Sequence, residues 1–223
     1  IRLSLVGSEM CIRDRLLARS LGSAGEFGQA VGAFGYAADL FGEAEEHADQ
    51  AMALTERAKI LARFDEHDDA IESLETASEI VRKAPEAVGA LADVLHNLGQ
   101  AYGAKQDDRA FALFDEVAAL AQEHEAGWLL ADVTDSRGRV LAQFGRIDEA
   151  VAAALTAADG FAAIGDAGSA GGSELFAARL LAGDDRATDA VPVYRSALEH
   201  AVEHAPLRLS LIHISEPTRL RRI

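Results

Sequence analysis

Basic side chains recur at a fixed interval along an otherwise acidic chain, and their spacing could build a binding surface. Four of the five positions in one column, forty residues apart, are basic: Arg19, Lys59, Gly99, Arg139 and Arg179. Cations in a line could grip an acidic peptide or a terminal carboxylate, arginine through two parallel N–H bonds. Arg63, Tyr102 and Gln143 lie about one turn further along the same predicted helices and would enlarge the surface. The plainer interpretation is salt bridging on a solvated helix, because Asp135 and Arg139 have the i, i+4 spacing of such a pair.

A second pattern lies near the carboxyl end, where His200, Glu203 and His204 form the sequence HxxEH. It resembles the inverted zinc-protease motif, which places two imidazoles and a general base on one helix. Its columns are held elsewhere by residues such as Leu40 and Ile80, so the end of a repeat helix is the plainer interpretation. A zinc hydrolase is therefore only a remote alternative. The sequence predicts no catalytic residue, no metal and no cofactor.

The composition excludes several classes of protein. The 223 residues include 37 acidic and 21 basic side chains, a net charge of −16, which argues against a nucleic-acid binder that neutralises phosphates. Hydrophobic residues make up 49% and proline only four positions, a composition typical of a helical soluble protein. The single cysteine, Cys11, cannot form an internal disulfide, and no apolar run is long enough to span a bilayer. We expect a cytoplasmic protein without direct nucleic-acid or membrane contacts.

Both termini resemble translated sequencing-adapter DNA. Residues 209–223 back-translate into a transposase-type adapter, and the complementary strand of that adapter reads as the first fourteen residues. Because one adapter accounts for both ends, residues 1–15 and 209–223 are interpreted as non-native tails. Residues 16–208 then hold 15 basic and 34 acidic residues, a net charge of −19, and no cysteine. The gene product is expected to be longer, with other termini.

The segment between these tails repeats every forty residues. Alanine occupies one position of all five repeats: Ala30, Ala70, Ala110, Ala150 and Ala190. Four residues later stand Phe34, Leu74, Phe114, Ala154 and Tyr194, and the columns seven after, nine before and twelve before the alanine are also apolar or small. The repeats are placed near residues 11–50, 51–90, 91–130, 131–170 and 171–208, within one repeat domain over residues 16–208.

Each repeat is predicted to be a helix, a turn and a second helix. The alanine column and those four and seven residues later share one helical face, and the two earlier columns share another. Turn signals fall between them, at residues 22–25, 65–68, 105–108, 145–148 and 183–185. In the third repeat, Leu98, Gly99 and Tyr102 stand one residue late against Ala110, which predicts a turn shorter by one residue. Trp128 begins a first helix and is expected to pack between repeats.

These columns resemble the tetratricopeptide repeat, whose pattern pairs Leu-Gly-x-x-Tyr in the first helix with Ala-x-x-x-Phe-x-x-Ala in the second. The first repeat supplies Leu17, Ala18, Leu21, Gly25, Ala30, Phe34 and Ala37, and the fourth supplies Gly138, Leu141, Gly145, Ala150, Ala154 and Ala157. The resemblance implies an all-α solenoid, a right-handed superhelix of five helix-turn-helix repeats of about 40 residues. The HEAT and armadillo types, with periods near forty, are the structural alternative.

The resemblance also implies a function. Tetratricopeptide arrays bind extended or helical peptides on a concave groove lined mainly by the first helix of each pair, so a non-enzymatic protein- or peptide-binding scaffold is expected. Its partner could be an acidic segment gripped by the basic column. The alternative is a sensor or regulatory segment of a larger transcriptional regulator or signalling NTPase. Self-association through uncapped terminal repeats is a further expectation.

Overall fold

The computed structural model describes residue 20 and residues 25–203, with side chains described as far as residue 200, and these residues form nine α-helices and no strand. The helices are α1 Phe27–Glu43, α2 His47–Arg63, α3 His67–Val81, α4 Val88–Ala104, α5 Arg109–Glu123, α6 Gly127–Gln143, α7 Ile147–Ala163, α8 Ala167–Gly183 and α9 Ala187–Glu203. The chain divides into an N-terminal body that ends at Val117 and a C-terminal body that begins at Ala118.

A constant turn sets the regular step between most helices. Six of the connections between the described helices have three residues, the second of which has a positive φ; examples are Asp65 at 61° and Gly145 at 73°. Such a residue ends a helix by letting the chain reverse, and the next N–H then bonds back to an orphan carbonyl. The N–H of Arg146, for example, donates to the carbonyl of Leu141 at 3.0 Å. Each such turn therefore makes consecutive helices antiparallel neighbours.

The N-terminal body stacks its helices in chain order. α1 packs on α2, α2 on α3 and α3 on α4, and α2 also contacts α4 directly. Its core includes Phe34 and Phe41 from α1 and Leu74 and Val81 from α3, none more than 2% exposed. The contact between α2 and α4 joins the first helices of two successive repeats. A shared surface on these two helices is therefore available to hold a ligand.

The C-terminal body repeats the arrangement. α6 packs on α7, α7 on α8 and α8 on α9. Ala150, Ala154 and Ala157 of α7 are fully buried. The backbone carbonyl of Ala150 lies 3.2 Å from where a Cβ on Gly138 of α6 would be. Short side chains thus let the paired helices approach closely, as the sequence predicts.

The repeat pattern is confirmed. The alanine column is buried throughout: Ala30, Ala70, Ala110 and Ala150 are 0% exposed and Ala190 is 2% exposed. The third repeat is shifted by one residue as predicted, because Gln106 with positive φ precedes its alanine by four residues, whereas Asp65, Gly145 and Asp185 precede theirs by five. Its turn is not shorter, however, since residues 105–108 form a connection of four residues. Apart from residue 20, the predicted first helix of the first repeat lies outside the described residues, as do the two tails predicted to derive from adapter sequence. Within residues 25–203, no helix is sufficiently long and apolar to cross a membrane.

Candidate binding surface on the first helices

The predicted binding residues fall on four first helices. Lys59 and Arg63 lie on α2 and Tyr102 on α4 in the N-terminal body; Arg139 and Gln143 lie on α6 and Arg179 on α8 in the C-terminal body. Arg19 lies outside the described residues. Each body brings its own first helices together.

Lys59 links two successive repeats in the N-terminal body. Its Nζ lies 3.2 and 3.3 Å from the carboxylate oxygens of Asp93 on α4, and 3.2 Å from Oε1 of Glu56 on its own helix. The lysine side chain is 36% exposed, so these ion pairs are partly solvated and contribute little stability. The ammonium is therefore already surrounded by carboxylates, and an acidic ligand would have to displace or share them.

A small pocket lies beside this ion pair, between α2 and α4. Its volume is about 130 Å³, and it is lined by Ala58, Lys59, Ala62, His67, Leu74, Asn97, Gln100, Ala101 and Ala104. Asn97 is held in place because its Nδ2 donates to the backbone carbonyl and to Oδ1 of Asp93, at 2.6 and 2.9 Å. An apolar pocket lined also by amides and a cation can accept a small side chain and orient the polypeptide that bears it.

Gln100, not Gly99, occupies the position of Lys59 in the third repeat. The positive-φ residue of this repeat, Gln106, lies one residue nearer to its alanine than in the other repeats, so each first-helix column moves one residue later. Gly99 instead faces α5, where a Cβ on it would stand 2.7 Å from Cε1 of Phe114. The sequence indicates this shift through Leu98 and Tyr102, but the basic column was assigned without it. Asn97 and Asp93 were also missed, because the column was chosen for basic side chains and neither residue is basic.

Tyr102 and Arg63 lie apart from the pocket. Tyr102 is 5% exposed; its hydroxyl donates to Glu75 of α3 and accepts from Nη1 of Arg109 at 2.9 Å, while the Arg109 guanidinium carbon lies 4.0 Å from the ring centroid. Burial, with the Glu75 hydrogen bond second, raises the pKa of Tyr102 to about 12. The guanidinium of Arg63 lies over the ring of Phe27 on α1, at 5.7 Å. Both side chains thus make contacts between helices and are not part of the surface around Lys59.

Arg139 joins α6 to α8 in the C-terminal body. Its Nε donates to Oδ2 of Asp135 at 2.6 Å, and its guanidinium carbon lies 4.7 Å from the ring centroid of Phe176. The other oxygen of Asp135 accepts from the hydroxyl of Ser173 on α8 at 2.7 Å. Asp135 is 9% exposed and Ser173 is 2% exposed, whereas the Arg139 side chain is 51% exposed. The i, i+4 ion pair that the sequence suggested is therefore present, and it is part of a contact between repeats.

The remaining predicted residues of this body lie on the same two helices. Gln143 follows Arg139 by one turn of α6 and is exposed, and Arg179 follows Phe176 by three residues of α8 and is also exposed. Two members of the basic column, Lys59 and Arg139, thus have carboxylate partners on the chain. The salt-bridge interpretation accounts for those two contacts, while binding of a ligand by the column stays a prediction.

The HxxEH sequence is engaged within its own repeat. His200 lies on α9, and its Nδ1 is 2.8 Å from Oε2 of Glu174 on α8. The hydroxyl of Ser196 donates to the other oxygen of Glu174, at 2.6 Å, and Glu174 is 8% exposed. His204 lies outside the described residues. In the part of the chain that the structure describes, no group of three or more His, Cys, Asp or Glu side chains is placed to hold a metal ion.

Comparisons with known proteins agree with this architecture. The tetratricopeptide repeat family model matches residues 49–123. A Rap protein complexed with Competence and Sporulation Factor superposes with a TM-score of 0.72 at 14% identity over 89% of this chain, and the chain spans 56% of that protein's length. The Rap conjugation gene regulator of the plasmid pLS20, in complex with the Phr* peptide, superposes with a TM-score of 0.64 at 14% identity. The match covers 93% of this chain and 59% of the regulator.

A shorter solved structure matches over nearly its whole length. MamA protein gives a TM-score of 0.56 at 19% identity, with 89% of this chain and 96% of that chain covered. A comparison with curated sequences finds no match. All three structural matches are below 25% identity, so they establish the fold and not a function. Residues 49–123 match the tetratricopeptide repeat model, and the all-α helical-pair fold is similar to that of the solved structures named above.

Proposed function

We propose that the chain is a scaffold that binds a protein or peptide on the exposed face of its first helices. The observation that supports this most directly is the pocket between α2 and α4, where Lys59, Asn97 and Gln100 surround an apolar floor. Side chains from two successive repeats meet there, so a bound segment would cross from one repeat to the next. A peptide that lies along a row of repeats gains contacts at each one.

The chemistry of the pocket indicates what part of a peptide it would hold. A cavity of about 130 Å³ has room for an aliphatic side chain. The amide nitrogen of Asn97 already donates to Asp93, and that of Gln100 lies 3.1 Å from Nε2 of His96. The two amide oxygens can accept from the N–H groups of a peptide main chain. The fixed orientation of Asn97 by Asp93 lowers the entropy lost on binding.

We propose an acidic segment as the partner of the basic column. A carboxylate near Lys59 would exchange for Asp93 or Glu56, and one near Arg139 would compete with Asp135, so discrimination rather than high affinity is expected. The net charge of −19 over residues 16–208 slows encounter with any acidic partner. The acidic preference should accordingly be strongest at moderate salt, where long-range repulsion is screened but close ion pairs persist.

Charge reversal with matched controls tests the proposal. The probes are three dye-labelled peptides in which a small aliphatic residue alternates with an acidic, a neutral polar or a basic residue. Their binding is measured by fluorescence anisotropy. Lys59→Glu should weaken the acidic peptide several-fold, as should the pair Arg139→Glu and Arg179→Glu. Lys83→Glu matches the charge change of Lys59→Glu, and the pair Lys83→Glu, Arg195→Glu matches that of the arginine pair. Both controls lie on other surfaces and should leave binding unchanged. Equal affinity in all variants would contradict the use of this surface.

Two substitutions test the pocket itself: one fills its volume, and the other removes an amide side chain from its wall. Asn97→Ala should weaken every peptide that binds in the pocket, whatever its charge, while Ala101→Leu should block the pocket without changing charge. If the unsubstituted chain binds acidic, neutral and basic peptides with equal affinity, the role of the basic column would be contradicted while that of the pocket would not. Retained binding in both pocket variants would contradict the pocket. Sedimentation of the free chain separately tests self-association through terminal repeats, which we also propose.

A second candidate is a sensor or regulatory segment of a larger protein. It is favoured by the coverage values, because the chain spans 56% and 59% of two Rap proteins, one of which is described as a gene regulator. The test is the uninterrupted genomic reading frame. A helix-turn-helix or a phosphate-binding glycine loop beside the repeats would support this role, and a frame with repeats alone would contradict it.

A further inference from the structure

One end of the C-terminal body exposes an aromatic side chain among acidic residues. Trp128, in the first turn of α6, is 53% exposed, and Ile164, in the turn before α8, is 46% exposed. The Cγ2 methyl of Ile164 lies 3.4 Å from the Cβ position of Gly127, directly beside the tryptophan. We call this pair of exposed side chains the Trp128 platform. Trp128 is thus not enclosed between repeats as the sequence analysis expected.

Trp128 is held in one orientation although it is half exposed. Its ring meets the buried ring of Phe161 edge to face, with centroids 6.4 Å apart. Asp166 caps α8 by accepting from the backbone N–H of Ser169 at 3.0 Å, and the pKa of this carboxyl is lowered mainly by Ser169, with the indole of Trp128 as a smaller contributor. A fixed aromatic surface loses little entropy when a partner covers it, and tryptophan is enriched among the residues that dominate binding energy.

The charges around the platform have one sign. Glu123 and Glu125 lie just before α6, Asp132 lies one turn beyond Trp128, and Asp166 interacts with its indole. Residues 118–132 and 158–172, which include the ends of α5 and α7 and the starts of α6 and α8, contain no lysine or arginine.

The arginines of the same body lie elsewhere. Arg137 and Arg139 follow Trp128 by at least nine residues along α6, about 14 Å, and Arg146 and Arg186 lie in the turns at the opposite ends of these helices. The platform end therefore has carboxylates without a lysine or arginine beside them, whereas at the opposite end Arg146 pairs with Glu149 and Arg186 pairs with Asp148 and Asp189. This difference distinguishes the platform from the first-helix surface, where Lys59 and Arg139 lie.

We propose that the Trp128 platform is a second docking surface, which takes a segment of a partner protein bearing lysine or arginine next to a large aliphatic residue. The aliphatic side chain packs on the indole and Ile164. The cation lies over the indole face or against Glu125 and Asp166, where ring quadrupole and carboxylates both attract it. The surface binds independently of the groove proposed above.

The single tryptophan of the chain makes a direct test feasible, because its fluorescence reports the platform alone. The probes are synthetic peptides of about seven residues that alternate arginine with leucine, glutamate with leucine, or arginine with serine. We expect the arginine–leucine peptide to change tryptophan emission saturably. The glutamate–leucine peptide should not bind, and the arginine–serine peptide should bind at least about fivefold more weakly because it lacks the aliphatic contact. Equal binding of the glutamate–leucine peptide would overturn the proposal.

Variants followed by anisotropy of a dye on the peptide locate the site. Trp128→Ala should weaken the arginine–leucine peptide about tenfold and Trp128→Phe by less, because phenylalanine keeps an aromatic face. Tyr36→Ala removes an exposed aromatic residue of the N-terminal body and should have no effect. Circular dichroism confirms that each variant is folded, and Trp128→Phe keeps the test valid should Trp128→Ala unfold. Unchanged affinity in the folded tryptophan variants would refute the platform.

Charge and self-association provide the final controls. The double variant Glu123→Gln, Glu125→Gln should weaken the arginine–leucine peptide, whereas Glu72→Gln, Glu79→Gln changes the net charge equally on α3 and should not. Lys59→Glu should leave this peptide unaffected, so that failure of the groove proposal and failure of this one are distinguishable. Concentration-dependent dimerisation that shifts tryptophan emission without peptide would assign the platform to a second copy of this chain and overturn the proposal.

Discussion

The contact formed by Asp135, Ser173 and Arg139 should contribute to stability mainly through its buried half. Ser173 is 2% exposed, so Ser173→Ala removes a hydrogen bond to a carboxylate that water cannot readily replace. A hydrogen bond to a charged group contributes about 1.5–3 kcal/mol. Arg139 is half exposed, so its ion pair is worth at most about 1 kcal/mol and its contact with Phe176 about 0.5–1 kcal/mol.

These values predict an order of effects. Asp135→Ala, which removes both interactions and leaves the Ser173 hydroxyl without its acceptor, should destabilise the C-terminal body by about 2–3 kcal/mol. Ser173→Ala should cost about 1.5–2 kcal/mol and Arg139→Ala about 1 kcal/mol. The double variant of Asp135 and Ser173 should be less destabilised than the sum of the singles by about 1–2 kcal/mol, because the two side chains share one interaction.

Urea unfolding followed by tryptophan fluorescence measures this locally, because Trp128 lies on α6 with Asp135 and Arg139. Far-ultraviolet circular dichroism of the same samples reports the whole chain, and disagreement between the two signals would show that the array does not unfold as one unit. High salt should reduce the effect of Arg139→Ala and leave that of Ser173→Ala unchanged. Additive single effects, or an Arg139→Ala loss as large as that of Asp135→Ala, would refute the reasoning.

Three further predictions concern packing, turns and pH. Gly99→Ala should destabilise the N-terminal body by up to about 2 kcal/mol although alanine has the better helix propensity, because the new Cβ would meet the ring of Phe114. Phe114→Leu should restore stability by making room. Thermal melts of the single and double variants measure this, and an absence of rescue would contradict it. Glu45→Gly should stabilise by about 0.5–1 kcal/mol in urea unfolding because its φ is 58°, whereas Gly145→Ala, at φ 73°, should destabilise. The pKa of Tyr102 is raised to about 12, above its value near 10 in the unfolded chain. The stability that this tyrosine contributes is therefore complete below about pH 10 and is lost as the pH rises towards 12. In urea unfolding at several pH values, Tyr102→Phe should flatten this loss, and an unchanged pH profile would count against the prediction.

The sequence predicted the fold well because repetition makes local patterns redundant. The five alanines forty residues apart and the apolar residues around them identified the helices, and those described are buried as expected. The close approach of α6 and α7 at Gly138 was likewise predictable, since a short side chain is required wherever two helix backbones approach closely. The side-chain partners were less predictable. Asp93 was not recognised as a partner of Lys59, because the two residues are 34 positions apart and the third repeat is out of register by one.

The sequence by itself determined the helices, their spacing, their buried faces and the acidic charge, because each depends on residue type and period along the chain. Only the tertiary structure decided which side chains meet between repeats. Tyr102 became buried against Glu75 and Arg109, while Trp128 stayed half exposed although it was expected to pack between repeats. The physical reason is that a one-residue shift, or a small residue such as Gly127 beside Ile164, changes what a neighbouring helix covers without changing the helical pattern.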